Sequence, residues 1–184
     1  MPVRRCIALV IALAIAAPLP AFHENGSMAE AVVEAMNRER VSHGLPPLRI
    51  NDTLCAAAFD RLDDMFAKHY FSHVSPDGLQ PWAWADKRGY DYRQMGENLA
   101  VGYATADAIV DGWMHSPGHR KNVLNSAFEE VGVAVAPASP QEPFNGPTVV
   151  ALYGVTSASR ADASAPCQEQ CEGSKARGRT AAAP

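Results

Sequence analysis

The stretch "MGENLAVGYATADAIVDGWMHSPGHRKNVLN", residues 95–125, carries the signals that decide the fold, and it changes character partway along. MGENLAVG, residues 95–102, reads as a short extended segment. Thr105 then caps a helix through TADAIVDGWMH, its hydroxyl placed to accept from an otherwise unpaired first-turn N–H. Ala106, Ile109, Val110 and Trp113 recur three and four apart, so they share the face a core would take. The helix must stop near His115, because the ring of Pro117 disfavours helical backbone at the residue before it. His115 and His119 stand four apart, which is metal-ligand spacing on a helix. Pro117 and Gly118 between them mean that this is not an ordinary helical face.

Two helices are expected upstream. Ser27 and Glu30 form a capping box ahead of a run in which Met28, Val32, Ala35 and Met36 recur at helical spacing, and Gly44 ends it. LPPLRIN, residues 45–51, reads as an extended connector. Asp52 is placed as the cap of a second helix running to about Lys68, with Leu54, Ala58, Leu62, Met65 and Phe66 on one stripe. Pro76, Asp77 and Gly78 mark a tight turn, and a short helix should end at Gly89. Downstream, EEVGVAVA (129–136) and PTVVALYGVT (147–156) are rich in valine and bounded by Pro and Gly, the pattern of strands joined by a long hairpin-like loop. Helices followed mostly by strands predict an α+β domain in which helices cover an antiparallel sheet.

The ends have a different composition. MPVRRC is basic and IALVIALAIAA is apolar, so residues 1–21 read as a secretory signal peptide; the apolar run is short for a bilayer span of about 20 residues. Residues 158–184 are rich in Ala, Ser, Gly, Arg and Pro without a period and read as a disordered C-terminal tail. The domain is thus expected over residues 27–157. The chain has 16 Lys and Arg against 20 Asp and Glu. Removal of residues 1–21 takes Arg4 and Arg5 and no acid, leaving a net charge of about −6. That balance argues against a nucleic-acid partner, which needs clustered cations. The expected setting is secreted or periplasmic, with no transmembrane segment in the mature chain and an extracellular or envelope ligand as partner. In an oxidising compartment Cys167 and Cys171 of CQEQC would close a small disulfide loop. Cys55, inside LCAAAF, is expected to be a buried thiol.

His69, His73, Glu97, His115, His119 and Arg120 lie at helix ends or in turns, where polar residues are disproportionately functional. Two imidazoles and a carboxylate suit zinc or another divalent cation, and the same groups can serve as acid and base in hydrolysis. Each histidine also has a plainer use, such as closing the negative end of a helix. HExxH, GxSxG and CxxC are all missing.

Residues 36–78, with FSHVSPDG near their end, residues 89–136, with GENLA and GHRKNVLN, and ALYGVT at 151–156 follow one another in an order that resembles a bacterial member of the CAP superfamily, the SCP domain of cysteine-rich secretory proteins, antigen 5 and pathogenesis-related 1. The resemblance implies a three-layer α-β-α sandwich with a central, mostly antiparallel sheet and a cleft. It carries His73, Glu97 and His119 over as the ligand- or metal-binding cleft, with His115, Ser116 and Arg120 as neighbours. Because it marks His119, it makes the HxxxH spacing incidental. Many eukaryotic members have a second glutamate shortly after the helix tryptophan. Here that stretch is GWMHSPGHR, with no acid, so divalent-cation binding is expected to be weak. Asn98 and Asn122 are expected to tie down buried backbone groups, and Trp113 to fill the core. The implied function is that of a secreted protein whose His/Glu cleft binds an unidentified ligand, with zinc or another divalent cation as candidate cofactor. The alternatives are an extracellular hydrolase using the same cleft, and an interaction protein whose polar cluster only stabilises the fold.

Overall fold

The structure is a computed structural model, and it describes residues 27–157. The signal peptide, the C-terminal tail and the Cys167–Cys171 pairing expected from the sequence lie outside the described residues.

Helix α1 (Met28–Ser42) begins at the expected capping box: the Ser27 hydroxyl accepts from the Glu30 N–H, and the Glu30 carboxylate accepts from the Ser27 N–H at 2.8 Å. Strand β1 (Arg49–Ile50) is only two residues long and lies within the expected connector. Helix α2 (Asp52–Lys68) is capped by Asn51, not by Asp52: the Asn51 carboxamide accepts from the Leu54 N–H at 3.1 Å, and Asp52 contributes charge to the first turn instead. Helix α3 (Trp82–Arg88) closes on Gly89 in the left-handed conformation, as its sequence suggests. Strand β2 (Tyr92–Val101) is longer than the extended segment predicted for it, since pairing with a neighbour carries it past the polar residues. Helix α4 (Ala106–His115) is capped by Thr105. Helix α5 (Pro117–Val123) was not expected. Pro117, read as a helix stop, also starts the next helix, where its missing N–H costs nothing. Strands β3 (Glu130–Ala136) and β4 (Thr148–Thr156) complete the domain.

The sheet has the order β1-β3-β4-β2, with β1 parallel to β3 and the remaining pairs antiparallel. Alternation along the strands feeds two cores. Val149, Ala151 and Tyr153 of β4 join Val32, Met36, Ile109 and Trp113 from α1 and α4, whereas Val150 and Leu152 join Leu54, Ala58, Leu62 and Trp84 from α2 and α3. Burying each aliphatic side chain of this size contributes about 1.5–3 kcal/mol, so helices on both faces stabilise one sheet. The result is the three-layer α-β-α sandwich expected. Gly132 fixes the closeness of one layer: a Cβ there would fall inside the backbone of Leu54 and Cys55, so α2 can rest on β3 only over a residue without a side chain.

Cys55 corrects one expectation. It is buried, as its apolar neighbours suggest, but it is disulfide-bonded and not a thiol. Apolar surroundings signal burial alike for a thiol and a cystine, so sequence context did not separate them. The chain has four cysteines, and the other three lie outside the described residues. In denaturant without reductant, Cys55 should resist alkylation, and a reductant should release it. Labelling of the Cys55 peptide before reduction, read by mass spectrometry, would contradict the bond.

Candidate functional site

Two adjacent residues of β2 carry the site to both faces of the sheet. Glu97 shares the α2 side with Leu99, and Asn98 shares the α5 side with Ala100. Both side chains are buried. Gly96 clears room beside them: a Cβ there would sit 2.9 Å from the Phe128 ring and 3.1 Å from the Asn122 carboxamide oxygen.

The Glu97 carboxylate has both oxygens engaged. Oε2 accepts from Arg61 Nε at 3.0 Å, and Oε1 lies 2.7 Å from His73 Nδ1. The Glu97 and Arg61 side chains are 3% and 0% exposed, while the His73 side chain is 55% exposed, so the pair runs from the protein interior out to solvent. Arg61 also donates to the Tyr70 hydroxyl and to the Ser72 carbonyl. Its guanidinium carbon sits 4.5 Å from the Trp84 ring centroid, within cation–π range. Tyr70 in turn donates to Asp64 at 2.6 Å, and Asp64 meets Lys68 at 2.6 Å. A charged relay thus links the end of α2 to the histidine loop. Phe71 holds the same loop from the other side, through its N–H to Gln141 and its ring against Phe144 at 5.6 Å.

His119, on α5, is half-buried, and its ring centroid lies 6.5 Å from that of His73. The structure therefore brings His73, Glu97 and His119 together from a loop, a strand and a helix. Their electrostatics diverge. The hydrogen bond to Glu97 raises the His73 pKa above the ordinary imidazole value, against the opposing effects of burial and the Arg61 charge. Burial and the charge of His73 lower that of His119. The stability gained from the His73–Glu97 pair is complete below the ordinary imidazole value of about 6.5 and is lost as pH rises through the raised one. His119 acts oppositely, its contribution being lost as pH falls through the lowered value. Between the two values His73 is a cation and His119 is neutral.

Glu97 is committed to Arg61 and His73, and among the described residues no group of three or more His, Cys, Asp or Glu side chains is arranged to hold a metal ion. The donors left over are the two imidazoles.

The neighbours fall elsewhere. His115 ends α4 with its side chain 79% exposed and its Nδ1 near the Asp111 carbonyl and carboxylate. Ser116 forms the break between α4 and α5 and makes no side-chain cap. Arg120 points to His43, 3.0 Å away, at the exposed end of α1. His115 and His119 thus sit on different helices. Asn98, Asn122 and Trp113 do backbone work. Asn98 donates to the His119 carbonyl and the Tyr153 hydroxyl, and accepts from Asn122. Asn122 donates to the Glu97 carbonyl, and the Trp113 indole N–H donates to the Leu99 carbonyl. β2 is an edge strand, so these side chains from α5 and α4 satisfy carbonyls that the sheet leaves unpaired.

Arg61 and Arg40 are the residues that sequence reasoning missed. A signal existed: Arg61 lies three residues after Ala58 and four before Met65, and Arg40 lies four after Met36, so both fall on the buried stripe of their helix. A charge at a core position needs a partner.

Comparison with known proteins agrees with this architecture. The family model described as the cysteine-rich secretory protein family, CAP, matches residues 33–151. Among solved structures, an extracellular protein containing an SCP domain from Bacillus anthracis str. Ames superposes with a TM-score of 0.58 at 27% identity, covering 69% of this chain and 40% of that one. An outer surface protein of Borrelia burgdorferi, at 21% identity and a TM-score of 0.62, shares the fold over 70% of this chain and 92% of that one. The uncharacterized protein YkwD of Bacillus subtilis (strain 168) is 44% identical over 102 residues, which is 55% of this chain and 40% of that relative's length. The uncharacterized membrane protein YlbC of the same strain is 38% identical over 104 residues, 56% of this chain and 30% of its own length. The chain belongs to the CAP family.

Proposed function

We propose that this CAP-domain protein acts outside the cytoplasm and binds a ligand at the cluster formed by His73, Glu97 and His119. The observation that supports the reading is the gradient of exposure. A carboxylate 3% exposed, balanced by a fully buried arginine, holds an imidazole whose side chain is 55% exposed. A knot serving stability alone gains little by ending in solvent, because surface ion pairs contribute only about 0–1 kcal/mol. The Nδ1 of His73 is taken by Glu97, and its Nε2 has no partner among the described residues. An extracellular setting is supported by the Bacillus anthracis and Borrelia burgdorferi relatives, and no helix among the described residues is long and apolar enough to cross a membrane.

The mature protein, His73→Ala and His119→Ala, each checked for folding, should be compared on immobilised envelope lipids, peptides and glycans. Wild type should retain one class, and both variants should lose it by about tenfold or more, the loss expected for a charged hydrogen bond. Equal retention by all three proteins would remove the site. Zinc chloride, titrated calorimetrically, serves as a separate probe of the two imidazoles. Equal heats in all three proteins would show that any zinc bound sits elsewhere.

A second reading, hydrolysis, is favoured by the opposed pKa shifts of the two histidines, since a cationic and a neutral imidazole in one site can act as acid and base. Turnover of a retained ligand, with a bell-shaped pH profile lost in either variant, would select it.

A further inference from the structure

We propose that Arg61 is the positioning residue of the His73 site, one guanidinium that sets both the carboxylate and the loop from which the histidine projects. This rests on the ligand-site reading above for its functional meaning. Its geometry and its test are independent of that reading.

Three nitrogens of Arg61 serve two segments, strand β2 and the loop that follows α2. Nε holds Glu97 on β2, Nη1 meets Tyr70 just past the end of α2, and Nη2 meets the carbonyl of Ser72, the residue immediately before His73. His73 therefore depends on Arg61 twice, through the far oxygen of Glu97 and through its own backbone. Trp84 of α3 packs against the guanidinium, and Arg61 is 0% exposed, so the fork has little freedom to turn. No buried side-chain nitrogen or oxygen among the described residues lacks a partner, so the network is complete up to its exposed end. The planar fork of arginine suits this task. A lysine brings one compact charge that can satisfy Glu97 but cannot also direct a donor along the Ser72 carbonyl.

The role makes a prediction opposite in sign to that of a mere neighbouring charge. As a charge, Arg61 opposes protonation of His73, so removing it would raise the His73 midpoint. As a positioning residue, Arg61 keeps Glu97 Oε1 aimed at Nδ1, and the Ser72 carbonyl beside it. Without it, the carboxylate and the loop lose their alignment, the hydrogen bond that raises the His73 midpoint weakens, and the midpoint falls.

The measurement is the titration of His73 followed by histidine-ring 1H–15N spectra on the full, ligand-free chain, in wild type, Arg61→Met and Arg61→Lys. The midpoint should fall by about one pH unit in Arg61→Met, the scale of losing a close opposite charge. Arg61→Lys should fall between the two. A midpoint in Arg61→Met equal to or above that of wild type overturns the proposal. Should the methionine variant not fold, the lysine variant decides: a wild-type or higher midpoint there overturns it as well. Because no ligand is present, loss of the ligand-binding reading would appear in the retention experiment and leave this result standing.

Discussion

Glu97→Leu should destabilise the domain by about 3–5 kcal/mol, the cost of leaving one member of a buried ion pair without the other. The leucine fills similar space but strands the Arg61 guanidinium at 0% exposure, with only Tyr70, the Ser72 carbonyl and the Trp84 ring to face it. Glu97→Gln keeps an acceptor oxygen and should cost less, which separates the lost charge from the lost hydrogen bond. The contrasting case is Arg88 with Asp60 on the surface, 2.6 Å apart with side chains 46% and 31% exposed, where removal of either partner should cost no more than about 1 kcal/mol. Urea unfolding midpoints at unchanged slope give all three values. A Glu97→Leu loss as small as that of the surface pair would mean that water reaches the guanidinium.

Arg40→Met should cost about 3 kcal/mol. Arg40 is 0% exposed and donates to four main-chain carbonyls: Pro46 at 2.9 Å, Val123 at 2.8 Å, Asn125 at 2.9 Å and Phe128 at 3.1 Å. It joins α1 to the end of α5 and to the turn leading into β3. The Asn125 carbonyl also accepts from the Phe128 N–H, but the bonds to the Val123 and Phe128 carbonyls are buried, and an orphaned buried carbonyl costs about 1–3 kcal/mol. Methionine keeps the aliphatic bulk and relieves the desolvation that presses the Arg40 pKa down, which offsets part of the loss. Amide exchange should also quicken around residues 124–128, because the anchor of that turn is gone. A loss under about 1 kcal/mol, with exchange unchanged, would show that water replaces the guanidinium.

The elements were legible where local chemistry is self-sufficient. The capping box at Ser27, the stripe of α2, the left-handed Gly89 and the valine-rich β3 and β4 each carry their signal within a few residues. The break at Pro117 was legible as an end, but its second meaning as the first residue of α5 depends on the residues after it. β1 is two residues long and exists through its partner β3. In the site, Glu97, His73 and His119 stood out because the resemblance marked them, whereas Arg61 was hidden by its apolar neighbours. What makes Arg61 central is the arrival of β2 and the histidine loop beside it, 36 and 11 residues away in the chain. That is a long-range fact with no local trace except a cation on a core stripe. Cys55 was misjudged for a related reason, since covalent pairing leaves no mark on the neighbours.

The position of β4 bears on when this domain becomes a domain. β2 and β3 do not pair with each other; each pairs with β4, the last strand among the described residues. Both cores draw residues from it, Val149, Ala151 and Tyr153 on one face and Val150 and Leu152 on the other. A nascent chain that ends before Thr148 can close neither core. Ribosomal synthesis therefore delivers helices, the short β1–β3 pair and an unmatched β2 first, and the contacts that join them through β4 span long distances along the chain, the kind that form late. The described sheet is completed only once Thr148–Thr156 has emerged.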